Sequence, residues 1–417
     1  MKQYRILISL ATTLIATQSV ASDDLFGSAD DGLFGNGSGF ITNSIDNSDN
    51  LADQMLVSEG IVWSGSYQWD TQFSAEDLTG LSEDADIESS FSGYLKLDAR
   101  PDAGYRVLFN LDYDVSQDSV NLSLREGFAD ITVAESVFVR AGQQTLTWGV
   151  GYFFSPADTL SSDRLDASNP DAERTGTAAV RIHMPIDTSN VYAYALPDDQ
   201  EDTLTLAAKG EWLIAGGEVG VGVSYDGNKA WNVMGTYTRP SEFGDIFAEY
   251  NSSFGRSTVD VSSTGQISDR SEVWLHQATV GIIRTKDWGE FASATISSQY
   301  YYNGEGYDHT LRTDDPMLWS QLNLQNSISA LASQHYGAVS LRLDDVLGTE
   351  VGLSTSRLVD ISDNSRMQTA ALSWTPLDTV AFEVGFSLFS GDKGSSYAPM
   401  GDQERYYFSV TLANGSF

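Results

Sequence analysis

The sequence predicts an all-β fold, a transmembrane antiparallel β-barrel of about eighteen strands, with sixteen as the lower count. Three observations predict it. Apolar and polar residues alternate from Gly60 onward, long and short connections take turns along the chain, and aromatic residues sit near strand ends.

A period of two is the signature of a strand with one apolar face. Tyr105, Val107, Phe109, Leu111, Tyr113 and Val115 fall on one face of a single strand, with Arg106, Asn110, Asp112 and Asp114 on the other. The same alternation returns in Leu204–Trp212, Val219–Tyr225 and Val380–Leu388. A soluble sandwich would show it too, so the connections decide.

Every second connection is tight: Pro101–Gly104, Ala134–Ser136, Pro185–Ser189, Ile214–Gly217, Pro240–Gly244, Thr285–Gly289, Asp345–Gly348 and Pro376–Asp378. The long ones, Ser74–Asp86, Val150–Thr175, Gly255–Arg270, Asn303–Gln334 and Gly391–Gln403, all fall in the other set. A membrane barrel does this, with short periplasmic turns, long external loops and strands of ~10 residues. A sandwich has no reason to put every long loop at one end.

The aromatics agree. Tyr105 and Tyr113 bracket one apolar face eight residues apart, about 26 Å along a strand, close to the ~25 Å apolar band of such barrels. Trp63, Tyr67, Trp69, Trp212, Tyr225, Trp231, Tyr237, Trp374 and Tyr406 hold outward parities near strand ends.

The chain begins with an export signal. Lys2 and Arg5 precede a short apolar run, Ile6–Ala16, and Ser19-Val20-Ala21 fits a small-residue cleavage site. Residues 1–21 therefore read as a signal peptide cleaved near Ala21. Residues 22–56, with Leu25-Phe26 echoed by Leu33-Phe34 among Asp, Ser, Asn and Gly, read as an acidic low-complexity periplasmic tail or plug. The barrel takes residues 57–417.

With 58 acidic and 23 basic residues the formal charge is −35, which excludes nucleic-acid binding by counterion release. The absence of cysteine excludes disulfides, thiolate metal sites and Cys nucleophiles.

The last strand puts Tyr406, Phe408, Val410 and Leu412 on one face and ends at Phe417. Here the chain resembles Gram-negative outer-membrane β-barrel proteins, which commonly finish on an amphipathic strand with a terminal aromatic. That resemblance implies the outer membrane as location, with its lipid, its lipopolysaccharide and the barrel assembly machinery as partners. Phe417 is out of phase with the outward set, and a bulge at Gly415 would restore it.

Val137–Trp148 reads as the fifth strand, and Val150–Thr175 as the third external loop. The layout from Gly60 onward resembles that of general porins, whose third loop folds into the barrel and narrows it. By that resemblance Asp158, Asp163 and Glu173 of the loop face Arg106, Arg140 and Arg181 across a constriction. Lys96, Arg100 and Arg125 extend the basic wall, which resembles the arginine ladder of substrate-selective porins. Tyr152, Phe153 and Phe154 would wedge the loop against the wall, or offer an aromatic slide to a sugar.

The expected activity is passive diffusion of small hydrophilic solutes, charged or zwitterionic, with no cofactor and no enzymatic step. An oligomeric state of monomer or homotrimer is left open. Two other classes stay in view. A barrel hydrolase or protease would use His309 or His335, which flank the longest loop. A non-conducting adhesin or scaffold would use the long loops, where Trp319–Ala332 carries apolar residues at near-helical spacing and predicts a short helix. Asp360–Asn364 is a weak candidate for Ca²⁺.

Overall fold

In a computed structural model the residues described are 60–75, 86–102, 104–116, 119–133, 136–198, 203–227, 230–255, 259–261, 267–289, 292–306, 333–377, 379–393, 395–398 and 401–416. The expected signal peptide, the acidic tail, His309, the expected helix at 319–332 and Phe417 lie outside them.

The strands are β1 (Gly60–Ala75), β2 (Asp86–Asp102), β3 (Tyr105–Ser116), β4 (Val120–Val133), β5 (Val137–Gln144), β6 (Thr177–Ile186) and β7 (Ser189–Asp198). Next come β8 (Thr203–Ile214), β9 (Gly217–Tyr225), β10 (Trp231–Ser241), β11 (Gly244–Phe254), β12 (Val259–Val261) and β13 (Ile267–Asp269). The rest are β14 (Leu275–Asp287), β15 (Ser293–Asn303), β16 (His335–Asp344), β17 (Val351–Asp360), β18 (Arg366–Leu377), β19 (Val380–Ser390) and β20 (Gln403–Ser416). Eighteen of them form one antiparallel sheet in sequence order, and β1 pairs with both β2 and β20, so the barrel is closed. Closure leaves no unpaired edge, which a hydrocarbon environment demands. β12 and β13 form a separate small hairpin in the connection between β11 and β14.

Burial is inverted relative to a soluble protein. Trp63, Trp69, Trp212, Trp231 and Trp374 are 40–66% exposed on the outer face, while Arg140, Lys209, Glu249 and Gln299 are buried inside. A soluble sandwich would place these two sets the other way round. The expected parities therefore hold, and the outer surface is an apolar belt with aromatic rims.

Turn chemistry explains the short-turn end. The β8–β9 hairpin has two central residues, Ala215 and Gly216, at φ 53 and 78°, the pair of positive angles that matches strand twist. Alanine pays for that conformation through its Cβ, so Ala215→Gly is expected to stabilise the barrel by about 1 kcal/mol in urea unfolding.

Bulges adjust two phases. In β20 the register steps from Trp69↔Leu412 to Tyr67↔Gly415, so the extra residue lies between Leu412 and Gly415 rather than at Gly415 itself. In β4 the register steps from Asn110↔Glu126 to Leu111↔Leu124, which frees Arg125 from the strict alternation and lets it turn inward.

The fifth strand is shorter than its apolar pattern predicts. It stops at Gln144, not Trp148, because the chain already bends into the barrel at Thr145, whose N–H donates to Glu126 at 2.9 Å. Trp148, fully buried, meets Tyr194 of β7 edge-on. Its apolarity suits an interior site as well as a strand, and periodicity alone does not separate the two.

Candidate functional site: the third loop inside the barrel

The connection from Thr145 to Gly176 crosses the barrel interior and is fastened to the inner faces of distant strands. Glu249, inward on β11, accepts the N–H groups of Val150, Gly151 and Ala157 and the Ser155 hydroxyl, the last two at 2.9 and 3.1 Å. One carboxylate thus gathers three backbone donors that would otherwise be buried without partners. Gln299 on β15 accepts the Phe153 N–H at 2.7 Å and donates to the Phe154 carbonyl. Lys209 on β8 donates to the Trp148 carbonyl at 3.2 Å and pairs with Glu211 at 2.7 Å.

Packing completes the attachment. Phe154 stacks on Tyr301 at 5.2 Å, and with Phe153 it joins Tyr336, Ala338 and Leu358 in an apolar cluster on β15, β16 and β17. Leu146, Trp148, Ala157 and Leu160 form a second cluster with Tyr192, Tyr194 and Met234. The wedge expected of Tyr152–Phe154 is present, but Phe153 and Phe154 are 1% and 3% exposed and offer no slide to a sugar. Gly149 and Gly151, on either side of Val150, have no room for side chains. A Cβ on Gly149 would lie 1.8 Å from Ser155 Oγ, and one on Gly151 2.0 Å from the Phe154 carbonyl oxygen.

Cross-strand register brings Arg106, Asp130, Arg140 and Arg181 into one row across β3 to β6. Arg106 forks onto Asp98 at 3.0 Å for both bonds. Arg100 joins the same carboxylate at 3.0 Å. Arg140 pairs with Asp130 at 2.7 Å and lies 3.7 Å over the Phe128 ring. Arg106, Arg140 and Arg181 are 6%, 0% and 1% exposed, a covered row rather than an open wall. Lys96 extends from β2 beside Asp98 and is half-buried.

The loop acids do not face this row. Asp158 pairs with Arg174 of its own loop at 2.6 Å, Asp163 accepts the Thr175 N–H at 2.8 Å, and Glu173 pairs with Arg125. The reason is height: Arg140 lies four residues, about 13 Å, below the end of β5 where the loop departs.

A different group comes together around the loop. Arg125 holds Asp112 and Glu173, and two residues along the loop Asp171 accepts the Tyr152 hydroxyl at 3.1 Å and lies within electrostatic reach of Arg342 on β16. Burial and the neighbouring Asp171 push the Tyr152 hydroxyl above its ordinary pKa, so it stays a donor. The side chains of Glu173 and Arg342 are 50% and 46% exposed. Arg342 was legible as an inward position of its strand, but nothing in the sequence tied it to the loop.

No protein-family model matches the chain, and no curated protein does. Solved structures do. The chain is similar to Pseudomonas aeruginosa OccK8 (OprE), with 11% identity, 86% of this chain and 99% of that one covered, and a TM-score of 0.53. OccK2 (OpdF) of the same organism gives 13% identity, 86% and 98% coverage and a TM-score of 0.51, and OpdL gives 12%, 86%, 98% and 0.51. The likeness is one of fold, a closed antiparallel β-barrel.

The described histidines and the acidic turn have local partners. His183 stacks on Tyr192 at 4.5 Å and bonds Asn190, while His276 and His335 bond the Tyr250 and Tyr300 hydroxyls, each at 2.7 Å. Asp360 accepts the Ser362 and Asp363 N–H groups and the Ser396 hydroxyl, as a turn-forming carboxylate does. Among the described residues no group of three His, Cys, Asp or Glu side chains is placed to hold a metal ion.

Proposed function

We propose that the chain is a passive channel for small hydrophilic, charged or zwitterionic solutes, selected by size and charge where the third loop narrows the lumen. The observation that carries this reading is the loop's fastening across the interior by Glu249 and Gln299. A loop bound for external contact would have no use for buried anchors on β11 and β15.

Loop residues Asp171 and Glu173 and wall residues Arg125 and Arg342 line the narrowing, where both signs of charge meet in a water-accessible place. Opposed charges across a lumen give a transverse field that orients dipolar solutes. The covered row of Arg106, Arg140 and Arg181 supports the wall behind it.

Refolded protein is expected to give ohmic steps in planar bilayers, and protein that is folded yet never conducts would sink the reading. Arg125→Gln removes a cation from the narrowing, so the reversal potential in a salt gradient is expected to move toward cation selectivity. An unchanged reversal potential would place the filter elsewhere.

A further inference from the structure

The charged side chains on the outer face of the strands are mostly basic. Among the described side chains, those facing outward are Arg239, Arg284, Lys286, Arg357 and Arg366, with Glu404 as the one acid. The chain as a whole has 58 acids to 23 bases, so the outer face reverses the overall balance.

Three of these bases stand together at the short-turn rim. Arg239 on β10 is level with Ile246 on β11, which is level with Ile282 on β14, so Arg284 stands one outward position nearer the rim and Lys286 one further. Two strand spacings, about 10 Å, separate the strands that carry Arg239 and Arg284. The strand between them carries Gly244 at this level, at φ +132°, where a Cβ would lie 3.0 Å from that of Arg284. β11 thus contributes no side chain at the level of Arg284, and its next outward residue, Ile246, stands at the level of Arg239.

Its surroundings are amphipathic. Lys286 Nζ lies 5.4 Å from the Trp288 ring centre, and Trp288 and Phe243 are 50% and 65% exposed beside it. Toward mid-membrane the outer face continues as Ile246, Val233, Val280 and Ile282. Glu242 in the β10–β11 turn forms no ion pair with the three bases, Asp245 and Asp287 take the inward phase, and Asp287 accepts the Gly289 N–H. Three bases without an ion-pair partner among the described residues, at the edge of an apolar wall, have the form of a phosphate site with acyl chains laid below it.

We propose that Arg239, Arg284 and Lys286 bind the phosphate of an anionic phospholipid in the leaflet at the short-turn rim. This rests on the barrel lying in a membrane and not on the channel reading. The test is native mass spectrometry of the folded full chain with phosphatidylglycerol and phosphatidylcholine in equal amounts. The wild type is expected to retain phosphatidylglycerol preferentially. Lys286→Gln should lower that retention about fivefold, and Arg239→Gln with Arg284→Gln by about the same factor per base.

Variants with an unchanged urea midpoint that keep wild-type retention would overturn the proposal. So would equal retention of both lipids by the wild type. Displacement of the lipid by millimolar inorganic phosphate would also overturn it, because the site would then be one for free anions. Should the double arginine variant not fold, Lys286→Gln alone decides.

Discussion

Glu249→Ala is expected to release the third loop from β11 and raise single-channel conductance, with a loss of stability. The carboxylate satisfies the N–H groups of Val150, Gly151 and Ala157 and the hydroxyl of Ser155, all inside the barrel. Leaving a buried donor unmatched costs about 1–3 kcal/mol, so three of them together favour release of this stretch, while Gln299 and the two apolar clusters hold its neighbours. The loop then detaches at that point and water enters. Glu249→Gln retains one acceptor oxygen and should fall between the two. Conductance and urea midpoints, measured on the same refolded samples, check both effects, and a stable Glu249→Ala barrel with unchanged conductance would count against the anchoring role.

The second large effect is expected at Asp130. Its carboxylate is level with Arg106 on one side and Arg140 on the other, and Arg140 is level with Arg181. Asp130→Ala would leave Arg140, whose side chain is 0% exposed, without its counter-ion and next to another cation. Removing one member of a buried pair costs about 3–5 kcal/mol. Asp130→Ala with Arg140→Leu removes both charges and should recover much of that loss, which urea unfolding of the two variants would show. Equal destabilisation by both would mean that packing around Phe128, and not charge, holds the row.

These two positions show what the sequence carried and what it did not. The strands, their parities and the alternation of turn lengths were legible because each rests on local periodicity. Eighteen strands closing on β1 and β20 followed from counting turns. The inward parity of Glu249 and Gln299 was equally legible, but their partners are backbone N–H groups of the loop, which have no side-chain signature. Periodicity puts Arg106, Arg140 and Arg181 on the inner face, but their pairing with the loop acids depends on height. The departure of the chain at Thr145 instead of after Trp148 changed that height. Arg125 turned inward through a bulge that a strict period of two does not reveal.

The central claim is that the third loop narrows the passage at Asp171 and Glu173. The chain has no cysteine, so Glu173→Cys gives a single thiol at that point. Conductance recorded before and after positively and negatively charged thiol reagents is the most direct measurement. The expected result is a fall in conductance with either reagent and reversal potentials displaced in opposite directions. Quantitative labelling that leaves both conductance and selectivity unchanged would contradict the account.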